Sequence, residues 1–411
     1  MTERHSLTRR QFLRTSAATT ATAVFGAPAI LHAATPSDLV RVGVIGVGGM
    51  GSGQLHDLVR RSKDPGQKVK AVAVCDVWDK RLQDAQRACE GAAYKDYRRL
   101  LEDKNVDAVV IATPDHWHAR ISMDAMEAGK DVYCQKPMTR YWEEAKQVFR
   151  RQQKTKRVFQ CGAQGTSEDH LWKARDLIKR GDLGKLIWSQ CSYLRNVPSG
   201  DWNYPIDDSA NPGNLDWSLW LGPAPTVAFS PDRYFRFRKY WDYSGGVATD
   251  LLYHVVAETE TALGPEFPSR VVASGGNFVC KEREVPDTFH VLINFPGDHT
   301  LLAVSTLETD EGFGGTIIRG QKATLRFESP GVVIQPQKAW EKLVEPRKVA
   351  TTERPDHMTN WLQCIRERAP EKCHLDALSA YKIMVAIDLS IRSYRENKVM
   401  RFDPVKQLLI S

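Results

Sequence analysis

The sequence predicts an α/β fold: an N-terminal doubly wound parallel sheet, then an α+β domain with a large, mostly antiparallel open sheet. Three observations predict it. Between residues 39 and 161, β-branched runs alternate with helix-length amphipathic stretches, the rhythm of βαβ units. A glycine turn, Gly46-Val47-Gly48-Gly49-Met50-Gly51, follows the first run and opens the first helix. After Gly162 the pattern becomes alternating apolar and polar positions with Gly-rich turns, as in antiparallel sheets.

The elements follow in order. Leu39–Ile45 is the first strand, and a helix runs from Ser52 to about Arg61. Val69–Cys75 is the second strand, ending at Asp76, with a helix from Asp79 to about Gly91. A strand over Val106–Ala112 stops at Thr113-Pro114, and a helix near Ala119–Ala128 leads to the strand Asp131–Cys134. Helix Trp142–Lys154 and strand Arg157–Cys161 close the first domain. Beyond it come a helix over Glu168–Arg180, a strand over Leu186–Tyr193 and a long tryptophan-bearing connection over Leu194–Tyr243. A helix over Val247–Leu263 precedes alternating runs at Ser269–Val279, Thr288–Phe295 and Thr300–Thr306. Helical periodicity returns at His357–Arg368 and Leu375–Glu396. The expected division is a signal at 1–34, a dinucleotide-binding domain at 38–162 and a substrate and oligomerisation domain at 163–411. The C-terminal helices are expected to pack back toward the first domain.

Length and charge bound the function. The 411 residues suffice for two domains with real cores. The formal charge of +7 is scattered, and the part carried by Arg4, Arg9, Arg10 and Arg14 lies in the first 34 residues. No basic stripe or nucleic-acid motif accompanies it, so no nucleic-acid partner is expected. The N-terminus reads Arg9-Arg10-Gln11-Phe12-Leu13, then a mild apolar run to Ile30 and the small residues Ala33-Ala34. It resembles a twin-arginine (Tat) export signal, which implies the Tat machinery as a partner and a periplasmic or otherwise exported protein. An uncleaved signal would tether it to the membrane. The eight cysteines show no CxxC and no paired spacing, and read as small apolar core residues rather than a disulfide framework.

Gly46, Gly48 and Gly51 form a G-x-G-x-x-G turn between strand and helix, the Rossmann fingerprint for a dinucleotide. The first glycine makes the turn, the second lets backbone approach the pyrophosphate, and the third lets helix and strand pack. Asp76, at the end of the second strand, is placed to accept from the ribose hydroxyls and to repel a 2′-phosphate. That favours NAD; Lys80 and Arg81 nearby leave NADP open.

Two further strand ends carry chemistry: Thr113-Pro114-Asp115-His116-Trp117-His118 and Cys134-Gln135-Lys136-Pro137. Together with Gly245-Gly246-Val247-Ala248-Thr249-Asp250-Leu251-Leu252-Tyr253-His254, they follow an ordered pattern. That pattern resembles the glucose–fructose oxidoreductase / inositol dehydrogenase / MocA family over nearly all of residues 38–400. The resemblance implies that Lys136 is catalytic, near the nicotinamide and the substrate hydroxyl, with Pro137 fixing the bend that aims it. It implies a cofactor pocket of Gly46, Gly48, Gly49, Met50, Gly51, Asp76, Thr113, Pro114, His116, His118, Gln135 and Lys136. Asp250 and His254, four apart on a helix, share one face, so His254 is placed to take the hydroxyl proton with Asp250 or Lys136 orienting it. Gln135 departs from the family's usual glutamate. A His-x-His zinc reading of His116 and His118, with Asp115, yields to the cofactor-pocket reading, and no metal is expected. His170, His290, His299, His357 and His374 have no partner pattern and are expected at surfaces or strand edges.

In the aromatic connection, Arg236, Arg238, Trp241 and Tyr243 are the substrate candidates, since aromatic faces stack on sugar rings and arginine donates to hydroxyls. Trp217 and Trp220 read as packing residues. The function expected is an exported NAD(P)-dependent oxidoreductase. It would move hydride between a sugar, polyol or glycoside hydroxyl and a tightly held nicotinamide, in a homo-oligomer. The alternatives are a redox-neutral NAD-dependent glycosidase and a non-catalytic sugar- or cofactor-binding protein.

Overall fold

The structure, a computed structural model, describes residues 38–410; the signal segment expected at 1–34 lies outside them. Strand β1 (Val40–Ile45) is buried at nearly every position, as a central parallel strand requires. Its neighbours are β2 (Val69–Cys75) and β4 (Ala108–Ile111), both parallel to it. The edges are β3 (Ala92–Tyr94) beyond β2, and β5 (Asp131–Gln135) then β6 (Phe159–Gly162) beyond β4. The order β3-β2-β1-β4-β5-β6 reverses direction between β1 and β4, and that switch point opens a crevice at the carboxyl ends of the strands.

Helices α1 (Gly49–Ser62), α2 (Asp79–Cys89), α3 (Tyr97–Glu102), α4 (Asp115–Glu127) and α5 (Trp142–Thr155) cover this sheet. Leu55 and Leu58 of α1 join Leu82 and Ala85 of α2 in one apolar layer. The same layer takes Met358, Trp361 and Leu362 from the distant helix α10 (His357–Glu367). Trp361 is fully buried there, and truncating such a ring costs about 3–5 kcal/mol. The other face packs against the second domain, chiefly helix α11 (Ala377–Glu396), where Asp388 accepts from the Trp142 N–H at 3.1 Å.

Helix α6 (Asp169–Lys179) leads to β7 (Leu186–Asn196), and short helices α7 (Trp217–Leu221) and α8 (Pro231–Phe235) interrupt the long connection. Helix α9 (Tyr253–Leu263) then precedes a run of sheet strands. These are β8 (Arg270–Gly276), β9 (Thr288–Phe295), β10 (His299–Thr306), the short β11 (Glu308–Thr309), β12 (Ile317–Gly320), β13 (Ala323–Phe327), β14 (Gly331–Pro336) and β15 (Arg347–Ala350). Two late strands, β16 (Met400–Asp403) and β17 (Leu408–Ile410), finish the edge. The order is β15-β14-β13-β12-β7-β10-β9-β8-β16-β17, and β11 pairs with β7. Every pairing is antiparallel except β7 with β10. Phe289, Val291 and Ile293 of β9 face the helices, while His290 and Leu292 point outward on the open face.

The expected fold class is the observed one, with local corrections. Strands β3, β11 to β15, β16 and β17 have no counterpart in the sequence reading, because at two to six residues they are too short for a clear alternation. Helix α4 starts at Asp115 rather than near Ala119: Pro114 stands at its N-cap and an acidic residue opens its first turn. His116 and His118 therefore sit on a helix. His357 and His374 are buried in the helical layer rather than at a surface or strand edge, while His299 is buried at the first position of β10. Ser167 Oγ lies 2.6 Å from His357 Nδ1 and 2.7 Å from His374 Nδ1, and His357 Nε2 lies 2.8 Å from the Cys161 carbonyl. These contacts tie α10 to the end of β6. All eight cysteines are buried free thiols. Among the described residues, no helix is long and apolar enough to cross a membrane.

Candidate active site

A cleft of about 690 Å³ lies at the carboxyl edge of the parallel sheet and is closed on its far side by the second domain. One end is built on the glycine turn. Gly46 has φ +82°, and a Cβ on Gly51 would stand 1.8 Å from the Gly46 carbonyl oxygen, so only glycine lets α1 pack this close. Helix α1 begins with no side-chain cap and no acidic residue in its first turn, which leaves its N–H groups and positive dipole end facing the cleft. Nothing lies within 4 Å of where a Gly49 Cβ would be.

Asp76 is buried beside this turn. Its Oδ2 accepts from the Val47 N–H at 2.9 Å and its Oδ1 from the Trp78 N–H at 3.0 Å. Burial pushes its carboxyl up, against the pull of the Arg81 guanidinium and those N–H groups. Over the same end fold Tyr234 and Phe235, from the long connection of the second domain. Arg81 donates to Tyr234 Oη at 3.1 Å and lies 5.3 Å from the Trp78 ring. A bridge between Trp78 and Leu215, and the bonds Asp79 N–H to Asn214 O and Asp216 N–H to Val77 O (both 3.0 Å), stitch the connection to the first domain.

At the other end stand Lys136, Asp250 and His254. Lys136 is aimed by the bend after β5, where the Lys136-Pro137 peptide is cis. Its Nζ donates to Asp250 Oδ1 at 2.6 Å and to the Asp250 carbonyl at 2.8 Å. Arg238 Nε donates to the same Oδ1 at 3.0 Å, and Trp202 Nε1 to Oδ2 at 3.0 Å. Burial alone would raise the Asp250 carboxyl, but Arg238 and Lys136 outweigh it and hold the group well below the carboxylate range. Asp250 is thus a fixed anion that positions Lys136, not His254.

His254 is held by stacking on Tyr193, with ring centroids 5.9 Å apart at 20°, rather than by a hydrogen bond. Burial first, then the Lys136 ammonium, bring its imidazole down to about 3, so it is neutral at ordinary pH. The backbone over Ala248–Leu252 is wound as a π turn rather than a continuous α-helix, a feature frequent at functional sites. Asp250 and His254 still both line the cleft.

Three buried polar atoms of cleft-lining residues have no partner: Thr113 Oγ1, Gln135 Nε2 and Trp78 Nε1. Buried polar groups are normally paired, so these donors and the open α1 N-terminus fit a dinucleotide. Of the cofactor residues expected from the sequence, Gly46, Gly48, Gly49, Met50, Asp76, Thr113, Pro114, Gln135 and Lys136 line the cleft. Gly51, His116 and His118 lie behind it. His116 Nε2 sits 3.1 Å from the Trp220 carbonyl, and the His118 ring nitrogens lie 2.6 Å from the Pro137 carbonyl (Nδ1) and 2.8 Å from the Thr113 carbonyl (Nε2), of which a neutral ring donates to one. Both brace backbone, and burial keeps both imidazoles low.

Of the substrate candidates, only Arg238 lines the cleft. Arg236 is turned to the Tyr204 carbonyl and Asp232. Tyr243 is fully buried in the aromatic cluster of the connection, and Trp241 lies outside the cleft lining, under the Arg395 guanidinium. Trp220 packs on Trp217 as expected and also lines the cleft. Arg195 lines the cleft unanticipated, because β7 runs three residues past its expected end. The bond from Trp202 to Asp250 left no signal in the spacing.

The architecture defines a class: a dinucleotide-binding α/β domain joined to a second domain that supplies half of one cleft. Residues 40–163 match the family model of an oxidoreductase family with an NAD-binding Rossmann fold. Residues 197–273 match the C-terminal alpha/beta domain of the same oxidoreductase family, and residues 6–26 the twin-arginine translocation pathway signal. The chain belongs to the glucose–fructose oxidoreductase / inositol dehydrogenase / MocA family and carries a Tat signal. It is similar to inositol 2-dehydrogenase of Salmonella typhimurium, 32% identical over 149 residues, covering 36% of this chain and 43% of that protein. A glycosyl hydrolase family 109 protein of Stenotrophomonas maltophilia is 30% identical over 231 residues, covering 52% of this chain and 49% of the relative. The chain spans about half the length of the curated relatives it matches. A levoglucosan dehydrogenase solved with NADH and levoglucosan shares the fold at TM-score 0.67 and 19% identity, over 88% of this chain and 99% of that one.

Proposed function

We propose that this chain is an exported NAD(P)-dependent oxidoreductase acting on a hydroxyl of a sugar, polyol or glycoside. The observation that carries the reading is convergence: Lys136 and Gln135 from the parallel sheet meet Asp250 and His254 from the second domain in the cleft that the glycine turn opens. The relatives named inositol and levoglucosan dehydrogenases support a CH–OH substrate.

When bound, the nicotinamide accepts or returns hydride. The protein's own residues handle position and proton. The Lys136 ammonium, held by Asp250, faces the hydroxyl oxygen and stabilises negative charge as it develops. Neutral His254 has a free ring nitrogen to accept from the substrate hydroxyl and is the acceptor of its proton, at a cost that burial and the nearby Lys136 charge raise. The Gly46–Gly51 turn and the α1 N-terminus hold the pyrophosphate, Asp76 the ribose, and Thr113 and Gln135 the inner end. The folded-over connection around Tyr234 and Trp78 retains the cofactor. The open face of the second sheet, with Trp188 and Leu292 exposed, is the surface for a homo-oligomer.

A redox-neutral glycosidase is the second reading, favoured by the family 109 relative that spans 52% of this chain. Freshly purified protein, once denatured, is expected to release NAD(H). If it releases none and binds neither NAD nor NADP, the reading is wrong. A panel of sugars and aryl glycosides then separates the two activities. Net NADH marks a dehydrogenase, and phenol release without net NADH marks the glycosidase. Retained cofactor with no turnover of any substrate marks a binding protein.

A further inference from the structure

We propose that the substrate is an acidic sugar whose carboxylate is gripped by Arg195. The inference rests on the oxidoreductase reading of the cleft and names its substrate class. Three cations line the substrate end: Lys136, Arg195 and Arg238. Two of them are committed, since Lys136 and Arg238 share Asp250 Oδ1 at 2.6 and 3.0 Å.

Arg195 is different. Its closest carboxylate is Asp201, with Oδ1 at 3.7 Å from Nη1, beyond good hydrogen-bond length. Its one hydrogen bond runs from Nη2 to Tyr193 Oη at 3.2 Å. A guanidinium has five N–H donors in a planar fork, so most of its capacity is unspent. The side chain keeps 37% of its surface exposed.

Tyr193 is the contact that orients the fork. The guanidinium lies 5.3 Å from the Tyr193 ring, and that ring stacks on His254. Arg195 and His254 thus both pack on the Tyr193 ring, and both line the cleft. A sugar whose reacting hydroxyl meets His254 and Lys136 would place a ring substituent against Arg195.

Charge selects the substituent. Against the three cations stand Asp250, Asp115 (buried, accepting from Thr249 Oγ1 at 2.9 Å) and Asp201 behind Arg195, so the protein's own charges in this half of the cleft are close to balanced. Oxidised nicotinamide brings one positive charge. An anionic substrate restores the balance in a partly buried site, where an uncompensated charge is costly. The planar fork matches a carboxylate in two parallel bonds, which a lysine would not.

The test uses the full chain loaded with NAD and sugar pairs that differ only at C6: glucuronate and glucose, galacturonate and galactose, mannuronate and mannose. Binding is followed by calorimetry. At least one acid is expected to bind about tenfold or more tightly than its neutral partner, with a preference that falls as salt rises. Arg195→Gln is expected to erase the preference and Arg195→Lys to keep part of it. Circular dichroism and NAD retention serve as checks on the fold. The proposal is overturned if the two members of every pair bind alike, if no acid binds, or if the preference survives Arg195→Gln. A neutral sugar that reduces the bound cofactor where no acid does also overturns it, and leaves the oxidoreductase reading standing. Failure to bind NAD or NADP sinks that reading instead.

Discussion

The Lys136 ammonium reaches Asp250 twice, at the carboxylate (2.6 Å) and at the residue's own carbonyl (2.8 Å), so the cation is fixed in place as well as in charge. The two residues come from different domains, and the pair is one of the ties that hold the cleft in shape. Both side chains are only about a tenth exposed, at 9% and 11%.

Asp250→Asn leaves Lys136 and Arg238 facing each other without their shared anion. Removing one partner of a buried pair costs about 3–5 kcal/mol, and that loss is expected in denaturant unfolding at neutral pH. Because the folded carboxyl titrates below its unfolded value of 3.8, its stabilisation is present above that value and fades as pH falls below it. The gap between parent and variant is expected to narrow in that acid range. An unchanged midpoint at neutral pH would remove Asp250 from its bridging role.

Gly51→Ala puts a methyl group against the Gly46 carbonyl oxygen, at a separation of 1.8 Å that backbone cannot tolerate. The turn must shift. The variant is expected to lose NAD retention by at least tenfold in calorimetry while its far-ultraviolet dichroism stays near that of the parent. The same substitution at Gly49, where nothing lies within 4 Å, is expected to be milder.

Tyr234→Ala opens the fold-over at the Asp76 end. It removes the acceptor for Arg81 and the edge contact with Trp78, at 6.1 Å between centroids. A loss of about 3 kcal/mol is expected for so large a buried ring. At temperatures where the variant stays folded, bound NAD should leave faster on gel filtration. Equal retention would show that the connection does not hold the cofactor.

His254 is expected to stay neutral. Its folded value near 3 lies below its unfolded value of 6.5, so its contribution to stability is full above 6.5 and declines as pH falls from there toward 3. Nitrogen-15 spectra of labelled histidines should show no His254 titration between pH 5 and 8. A midpoint near 6.5 would contradict the buried, Lys136-shadowed environment.

Much of this site was legible in the chain. Gly46, Gly48 and Asp76 fall where a strand, a turn and a second strand end, and each is a local pattern readable over a few residues. Lys136, Asp250 and His254 meet in the cleft, but Asp250 pairs with Lys136 rather than with His254, which their motifs did not separate. Arg236, Trp241 and Tyr243 were not separable from Arg238 by composition, because all four sit within eight positions and only the path of the connection turns Arg238 inward. His357 and His374 looked solitary because their shared partner, Ser167, stands about two hundred positions earlier.

The sequence by itself determined the parallel sheet, the glycine turn and the presence of a lysine at a strand end, since hydrophobic period and turn chemistry act locally. Tertiary structure decided what those residues do to one another. Lys136 and Asp250 are 114 positions apart, and only packing of the two domains makes them an ion pair that fixes the carboxylate's charge and lowers the nearby imidazole. Packing also left Arg195 as the substrate-end cation whose nearest carboxylate, Asp201 at 3.7 Å, is too far for a hydrogen bond, because charge balance depends on distances in space that no spacing along the chain encodes.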